Sequence, residues 1–205
     1  MARSSSDFVR GFGSRGSRKV DSWDELVAEG KRRLCEGLGF ALVVVCFLLV
    51  LSLLTYNPAD PSLDTAVDGT PANFLGRDGA FVADLLVQGL GLAAFILPLV
   101  VLGWAFRLLL QRPLRHMPRR ILMVLPALLF GAFACSVWHT TAIPLPAGAG
   151  GALGWALRQV LSATGFGALE WPLAIGAAVV AVMLLLSIMG LSWGDWRDVG
   201  NGAGR

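Results

Sequence analysis

The feature that most constrains this chain is a set of apolar segments, free of charged residues, that are long enough to cross a lipid bilayer. Three segments lack Asp, Glu, Lys, Arg and His over 18 residues or more: residues 37–55, 121–138 and 172–191. A fourth, residues 85–106, is otherwise apolar but contains Gln88 and Pro98. A hydrocarbon core about 30 Å thick needs roughly 20 apolar helical residues. We therefore predict an all-α membrane protein with four transmembrane helices.

The distribution of Lys and Arg predicts how these spans are oriented. The segment before the first span carries eight basic residues, and the loop between the second and third spans carries five arginines and no acid. The other two loops carry one Lys or Arg each. Because short loops rich in Lys and Arg stay on the cytoplasmic side, we predict that both termini are cytoplasmic. The predicted organisation is a cytoplasmic segment with a juxtamembrane helix (residues 1–36), a membrane domain (residues 37–193) and the start of a cytoplasmic linker (residues 194–205).

Residues 145–169 are apolar enough to resemble a fifth span but contain Arg158 near the middle. A central arginine costs roughly 3 kcal/mol even on the mildest insertion scale, and a fifth span would export the C-terminus. Leu153, Leu157 and Val160 recur at helical spacing with polar residues opposite. We predict an amphipathic helix in this third, outer loop. The pattern fits either an interfacial or a re-entrant position.

The sequence contains few residues that could catalyse a reaction or bind a metal, a nucleotide or an ion. His116 and His139 fall on opposite sides of the membrane in this topology, and neither has a metal-ligand partner at a useful spacing. The Gly30-Lys31 pair is followed by Arg32, so it cannot form the phosphate-binding loop of a nucleotide site. The spans contain no acid or base that could carry an ion. We expect no catalytic, cofactor-binding or metal-binding residues, and no enzyme activity, in this chain.

Five aspartates lie in the first loop and leave two alternatives open. They are Asp60, Asp64, Asp68, Asp78 and Asp84. Either they remain solvated, or some pair with Arg77 and Arg158 and so hold the outer loops together. Both alternatives follow from the charges of these residues and require no assumption about the function of the chain.

Four short motifs resemble a known family. They are residues 54–62 (LTYNPADPS), residues 73–84 (NFLGRDGA followed by AD), residues 145–151 (LPAGAGG) and residues 190–193 (GLSW). In this order and at these topological places, they resemble the N-terminal membrane domain of the FtsK/SpoIIIE family of DNA translocases. The resemblance covers about residues 37–193. The candidate interaction residues that it indicates in the outer loops are Asn57, Pro58, Asp60, Pro61, Ser62, Asn73, Leu75, Gly76, Gly79, Asp84, Pro146, Gly148, Gly150 and Gly151.

The resemblance implies a bacterial inner-membrane anchor at the division septum, linking chromosome segregation to cell division. The family's motor, with its ATP and Mg, would follow residue 205, and DNA would be reached only through that motor. Expected partners are the lipid bilayer, further copies of the chain (six, as the family's motor implies) and division-septum proteins. The alternative is a stand-alone multi-pass membrane scaffold, an assembly factor or a small carrier unrelated to DNA.

Overall fold

The computed structural model describes residues 14–61, 70–112, 116–138, 145 and 147–190, and all regular structure within these ranges is helical. Within these ranges there are six α-helices: α1 (Ser14–Leu54), α2 (Gly76–Leu90), α3 (Ile96–Leu109), α4 (Met117–Ser136), α5 (Gly151–Ala163) and α6 (Glu170–Met189). Short 3₁₀ turns, Gly91–Phe95 and Gly167–Leu169, precede α3 and α6.

Four helical segments are long and apolar enough to cross a membrane. They are Glu25–Leu54, Gly76–Leu109, Met117–Ser136 and Gly167–Met189. The predicted all-α architecture with four spans is confirmed. Helix α5 has 13 residues, and at 1.5 Å per residue it extends about 20 Å, too short to span.

The predicted juxtamembrane helix and the first span form one continuous helix, α1, of 41 residues. Two pairs at i,i+4 spacing support the helix where it approaches the apolar run: Glu29 with Arg33 and Arg32 with Glu36, each at 3.1 Å. Such pairs stabilise exposed helix by a few tenths of a kcal/mol each. At 1.5 Å per residue α1 is about 60 Å long, twice the thickness of the hydrocarbon core.

The second span differs from the prediction in two ways. It begins at Gly76, nine residues before the predicted residue 85, and the turn Gly91–Phe95 divides it into α2 and α3. Pro98 lies in the first turn of α3 and has no N–H to donate to the carbonyl of Ala94, four residues earlier. The α-helical ladder is therefore interrupted in the turn that precedes the proline.

The helices pack as two antiparallel pairs, α1 with α3 and α4 with α6, and α3 also contacts α6. Close contact depends on small residues, as is usual for helices in membranes. A Cβ on Gly39 of α1 would lie 2.9 Å from Leu109 of α3. Helix α6 buries a stripe of three alanines: Ala174, Ala177 and Ala181. We call the end of the bundle that carries residues 55–61, 70–75, 145 and 147–150 the loop end, and the opposite end the arginine end.

Candidate interaction site at the loop end

Asn73 connects the end of α1 to the start of α2. Its side-chain amide donates to the main-chain carbonyls of Ser52 (2.9 Å) and Thr55 (3.3 Å), and its Oδ1 accepts from the Leu75 amide (3.0 Å). The last carbonyls of an α-helix have no partner within the helix. Asn73, which is 4% exposed, satisfies two of these acceptors at the end of α1. The two helices are thereby fixed to each other by one buried side chain.

Asp60 closes the first loop through its carboxylate. Its two oxygens accept from the main-chain amides of Ala72 and Asn73, both at 2.9 Å. Hydrogen bonds from main-chain N–H groups to a carboxylate are stronger than those between neutral groups. The side chain is 6% exposed. Asp60 therefore holds the two ends of this loop together across twelve residues.

Asp84 lies deeper, within α2. Its Oδ1 accepts from the hydroxyl of Tyr56 (3.2 Å) and from the amide of Gln88 (2.8 Å), and Asp84 is 6% exposed. Burial raises the pKa of Tyr56 to about 12, with contributions from the negative charge of Asp84 and from the hydrogen bond. Tyr56 thus brings the loop segment after α1 against α2.

These contacts correct the expectation for two of the aspartates. Asp60 and Asp84 are neither solvated nor paired with an arginine, because main-chain amides and neutral side chains satisfy them. Arg158 instead pairs with Glu170 at 2.9 Å, which joins α5 to the start of α6. Arg77 and Asp78 are exposed, while Asp64 and Asp68 lie outside the described residues.

Two glycines of the second motif have steric reasons to be glycine. Gly76 starts α2 with a φ of +70°, a conformation that costs glycine nothing. A Cβ on Gly79 would lie 2.5 Å from Oδ1 of Asn73, and the Gly79 carbonyl accepts from the Ser52 hydroxyl at 2.7 Å. The motif therefore encodes a close approach between α1 and α2.

The glycine-rich third loop fits against the break in the second span. The amide of Leu92 donates to the carbonyl of Ala149 at 2.8 Å. Gly91 and Gly151 meet here with φ values of +61° and +63°. A Cβ on Gly150 or on Gly154 would overlap the main-chain carbonyl of Ala132, so the start of α5 lies directly on α4. The break and the third loop thus form one packing unit.

The structure places eight of the fourteen candidate residues in two contacts. The first joins α1, the first loop and α2, and the second joins the break in the second span to the third loop. Asp60, Asn73, Leu75, Gly76, Gly79 and Asp84 belong to the first, and Gly150 and Gly151 to the second. Asn57 forms a local turn, its Oδ1 accepting from the Ala59 amide at 3.1 Å. Pro58 and Gly148 are exposed and Pro61 is buried. Ser62 and Pro146 lie outside the described residues.

Sequence reasoning missed two participants, Ser52 and Gln88. Ser52 is 2% exposed and bonds across to α2, and Gln88 bonds to Asp84. Both are polar residues inside predicted spans. A polar side chain facing hydrocarbon needs a partner, so each was a signal of helix contact at its position.

The arginine end is organised around the last turn of α6. The indole N–H of Trp104 donates to the carbonyl of Ile188 (3.1 Å), Arg120 donates to the same carbonyl (3.3 Å), and Arg107 donates to the carbonyl of Gly190. Gly190 adopts a φ of +74°. Cations are favourable at a helix C-terminus, where carbonyls point outwards. This accounts for Gly190 of the fourth motif, whose other residues lie outside the described ranges.

The described residues contain no group of three or more His, Cys, Asp or Glu side chains arranged to hold a metal ion. The three cysteines are free, and the thiol of buried Cys46 donates to the carbonyl of Pro98 at 3.3 Å. At the loop end the buried polar side chains Asp60, Asn73 and Asp84 are hydrogen-bonded within the chain. The exposed residues of the loop end include Phe74, Arg77 and Asp78.

Comparison with known proteins agrees with this architecture. A family model described as the 4TM region of DNA translocase FtsK/SpoIIIE matches residues 31–199. A protein named DNA translocase FtsK from Azospirillum brasilense is 40% identical over 168 residues, which are 80% of this chain and 27% of that protein. Proteins of the same name from Agrobacterium fabrum and Bradyrhizobium diazoefficiens are each 37% identical, over 60% and 62% of this chain.

The chain covers only 14% and 15% of the lengths of those last two proteins, so it spans about a quarter or less of these curated relatives. No solved structure matches the chain significantly. The family match covers all four spanning helices from residue 31 onwards, together with both loop contacts. The chain is a multi-pass inner-membrane protein, and it belongs to the FtsK/SpoIIIE family of DNA translocases as that family's four-span membrane region.

Proposed function

We propose that this chain anchors an ATP-dependent DNA translocase in the inner membrane, concentrates it at the division septum and assembles it into an oligomer. The observation that carries this proposal is the match of the whole four-span bundle to the membrane region of proteins named DNA translocase FtsK. The motor would lie C-terminal to residue 205 and would use ATP and Mg. DNA would meet this chain only through that motor.

The two ends of the bundle fit a motor on one side of the membrane and septum proteins on the other. The arginine end carries Arg107, Arg112 and Arg120, and Lys and Arg favour the cytoplasmic side, where the motor would act on DNA. The loop end would face outwards, towards division-septum proteins. Its hydrogen bonds fix the loops in advance, which reduces the conformational entropy lost when a partner binds.

Exposed residues at the loop end are the candidates for partner contact. Phe74 is 75% exposed although its neighbour Asn73 is buried. Phe74 is therefore held outwards by a fixed backbone, and Asp78 lies exposed one turn into α2. An exposed aromatic side chain on a rigid frame is a frequent anchor in protein interfaces. The buried motif residues would serve this surface by positioning it.

A fluorescent fusion of residues 1–205, expressed in dividing bacteria, tests septum localisation. We expect fluorescence concentrated at midcell. Phe74→Ser should spread it around the membrane without lowering its amount, whereas Phe81→Ser, at an exposed position on α2, should leave it at midcell. A uniform membrane distribution of the unaltered fusion would refute the proposed localisation and favour a scaffold or carrier unrelated to DNA.

A further inference from the structure

Helix α1 carries an apolar stripe that nothing in the described part of the chain covers. Its members are Trp23, Val27, Gly30, Leu34, Gly37, Ala41, Val44 and Leu48, all of them exposed. Trp23 is 66%, Val27 52% and Leu34 74% exposed. A Cβ built on Gly30 or Gly37 would meet no atom within 4 Å. We call these eight residues the α1 stripe.

Every residue from 37 to 51 is apolar, so the spacing of apolar residues can select a face of α1 only from Trp23 to Leu34. There the α1 stripe is spaced by four, three and four residues, and the same alternation can be followed to Leu48. This is the heptad repeat of 3.5 residues by which two helices wrap around each other in a left-handed coiled coil. A helix that faces only lipid has no need of such a period, since lipid contacts every side alike. The period therefore indicates another helix as the occupant.

From Trp23 to Val44 the α1 stripe faces away from the rest of the bundle, and Leu48 borders a groove between α1 and α2. Gly39 and Cys46 face α3, where they contact Leu109 and Pro98. At 3.6 residues per turn these positions lie about 150° around the helix from the centre of the stripe. A second helix could thus cover the stripe from Trp23 to Val44 without displacing α3.

Half of the α1 stripe, from Trp23 to Leu34, precedes the predicted span that begins at residue 37. Lipid tails can cover the part within the hydrocarbon, but this half needs a protein surface to remove its apolar side chains from water. Two of the three basic residues beside it are paired within the helix, Arg33 with Glu29 and Arg32 with Glu36. This pairing reduces the repulsion between two copies of the helix.

A second copy of α1 meets all these conditions. Copies in one membrane share one topology, so their α1 helices run parallel and the membrane sets their axial register. Gly30, Gly37 and Ala41 would let the two backbones approach closely. We propose that α1 of one copy pairs with α1 of a second copy along the α1 stripe, in a parallel coiled coil that begins outside the membrane and continues into it. This inference rests on the proposed self-association of the anchor and assigns a surface to it.

Disulfide scanning of the full chain in native membranes tests the pairing. The background would carry Cys35→Ser, Cys46→Ala and Cys135→Ala, with single cysteines at residues 26–34. After mild oxidation we expect dimers to peak at positions 27, 30 and 34, at least five-fold above positions 28, 29 and 32. Ala28→Cys is the matched control, since Ala28 is also exposed but lies off the stripe. Dimers without this periodicity would overturn the proposal.

Subunit counting on the same membranes, by stepwise photobleaching, separates this inference from the proposed function. Oligomers without periodic crosslinks would reject the α1 stripe and leave self-association standing. Monomers without crosslinks would reject both. Val27→Asp should reduce the crosslink at position 34 at least five-fold, while the control Ala28→Asp should leave it unchanged. Equal effects of the two substitutions would also count against the pairing. Protection of positions 27 and 34 from a water-soluble maleimide in monomers would assign the stripe to the membrane surface instead.

Discussion

Gly91 and Gly151 meet backbone to backbone where the break in the second span contacts the start of α5. A Cβ on Gly91 would lie 2.6 Å from the Gly151 nitrogen, and a Cβ on Gly151 would lie 2.5 Å from the Gly91 nitrogen. Both residues have positive φ values, which side chains disfavour. The break in the second span and the third loop can therefore join only because both positions lack a side chain.

Alanine at Gly91 or Gly151 should destabilise the folded domain by more than about 2 kcal/mol, because positive φ alone costs about 1–3 kcal/mol and the backbone clash adds to it. Gly89→Ala is the control, since a Cβ there meets nothing within 4 Å. It should be neutral or stabilising, as alanine favours helix. Thermal unfolding of the purified domain in detergent measures both. Equal unfolding midpoints for Gly89→Ala and Gly91→Ala would contradict the proposed fit.

Replacing Asn73 with alanine should cost about 1–3 kcal/mol, because the carbonyls of Ser52 and Thr55 would lose their donor in a buried place. Asn57→Ala removes one exposed local hydrogen bond and should cost less than about 1 kcal/mol. Denaturation of the two variants by SDS, followed through tryptophan fluorescence, gives the comparison. An equal or smaller loss of stability at Asn73 than at Asn57 would contradict the proposed role of Asn73 in joining α1 to α2.

Tyr56 is the only tyrosine of the chain, so tyrosinate absorbance reports its ionisation directly. Burial first, and then the charge and hydrogen bond of Asp84, raise the pKa of Tyr56 from 10.0 to about 12. Folding thus favours the protonated phenol, and this stabilisation is complete below pH 10 and is lost as the pH rises through about 12. Asp84→Asn should move the titration towards pH 10. A wild-type midpoint near 10 would show that the phenol is not held as described.

Gly190→Ala should weaken the arginine end. Its φ of +74° is strained for alanine, and a Cβ would lie 2.6 Å from a guanidinium nitrogen of Arg107. Two favourable charge contacts with the end of α6, each worth roughly 0.3–1 kcal/mol, would be displaced. Gly176→Ala, at an open position of the same helix, should leave the unfolding temperature unchanged or raise it. A comparable loss in both variants would argue against the arginine cap.

The spanning helices could be predicted because a charged group in hydrocarbon is so costly that its absence marks each span. Residues 37–55 correspond to the apolar part of α1, and residues 121–138 to most of α4. The start of the second span could not be found in this way. Asp78 and Asp84 indicated a loop, but Asp84 lies within α2, where Tyr56 and Gln88 supply its hydrogen bonds.

The break in the second span also could not be predicted from local sequence patterns. Pro98 was visible in the sequence, but the turn that precedes it is completed by Ala149, which lies 57 residues after Leu92 in the chain. The loop motifs could be recognised before their physical role was known. Asp60 and Asn73 satisfy main-chain groups that only the folded loop brings together. A residue pattern alone could not distinguish such internal roles from partner binding.

The most direct test of the four-span anchor is the location of the C-terminus. A fluorescent protein that matures only in the cytoplasm and a phosphatase active only outside it would each be fused after Arg205, with a second pair inserted after residue 66 in the first loop. We predict fluorescence and no phosphatase activity at residue 205, and the reverse at residue 66. Phosphatase activity at residue 205 would place the C-terminus outside, through an odd number of spans or an inverted bundle, and would contradict an anchor for a cytoplasmic DNA motor.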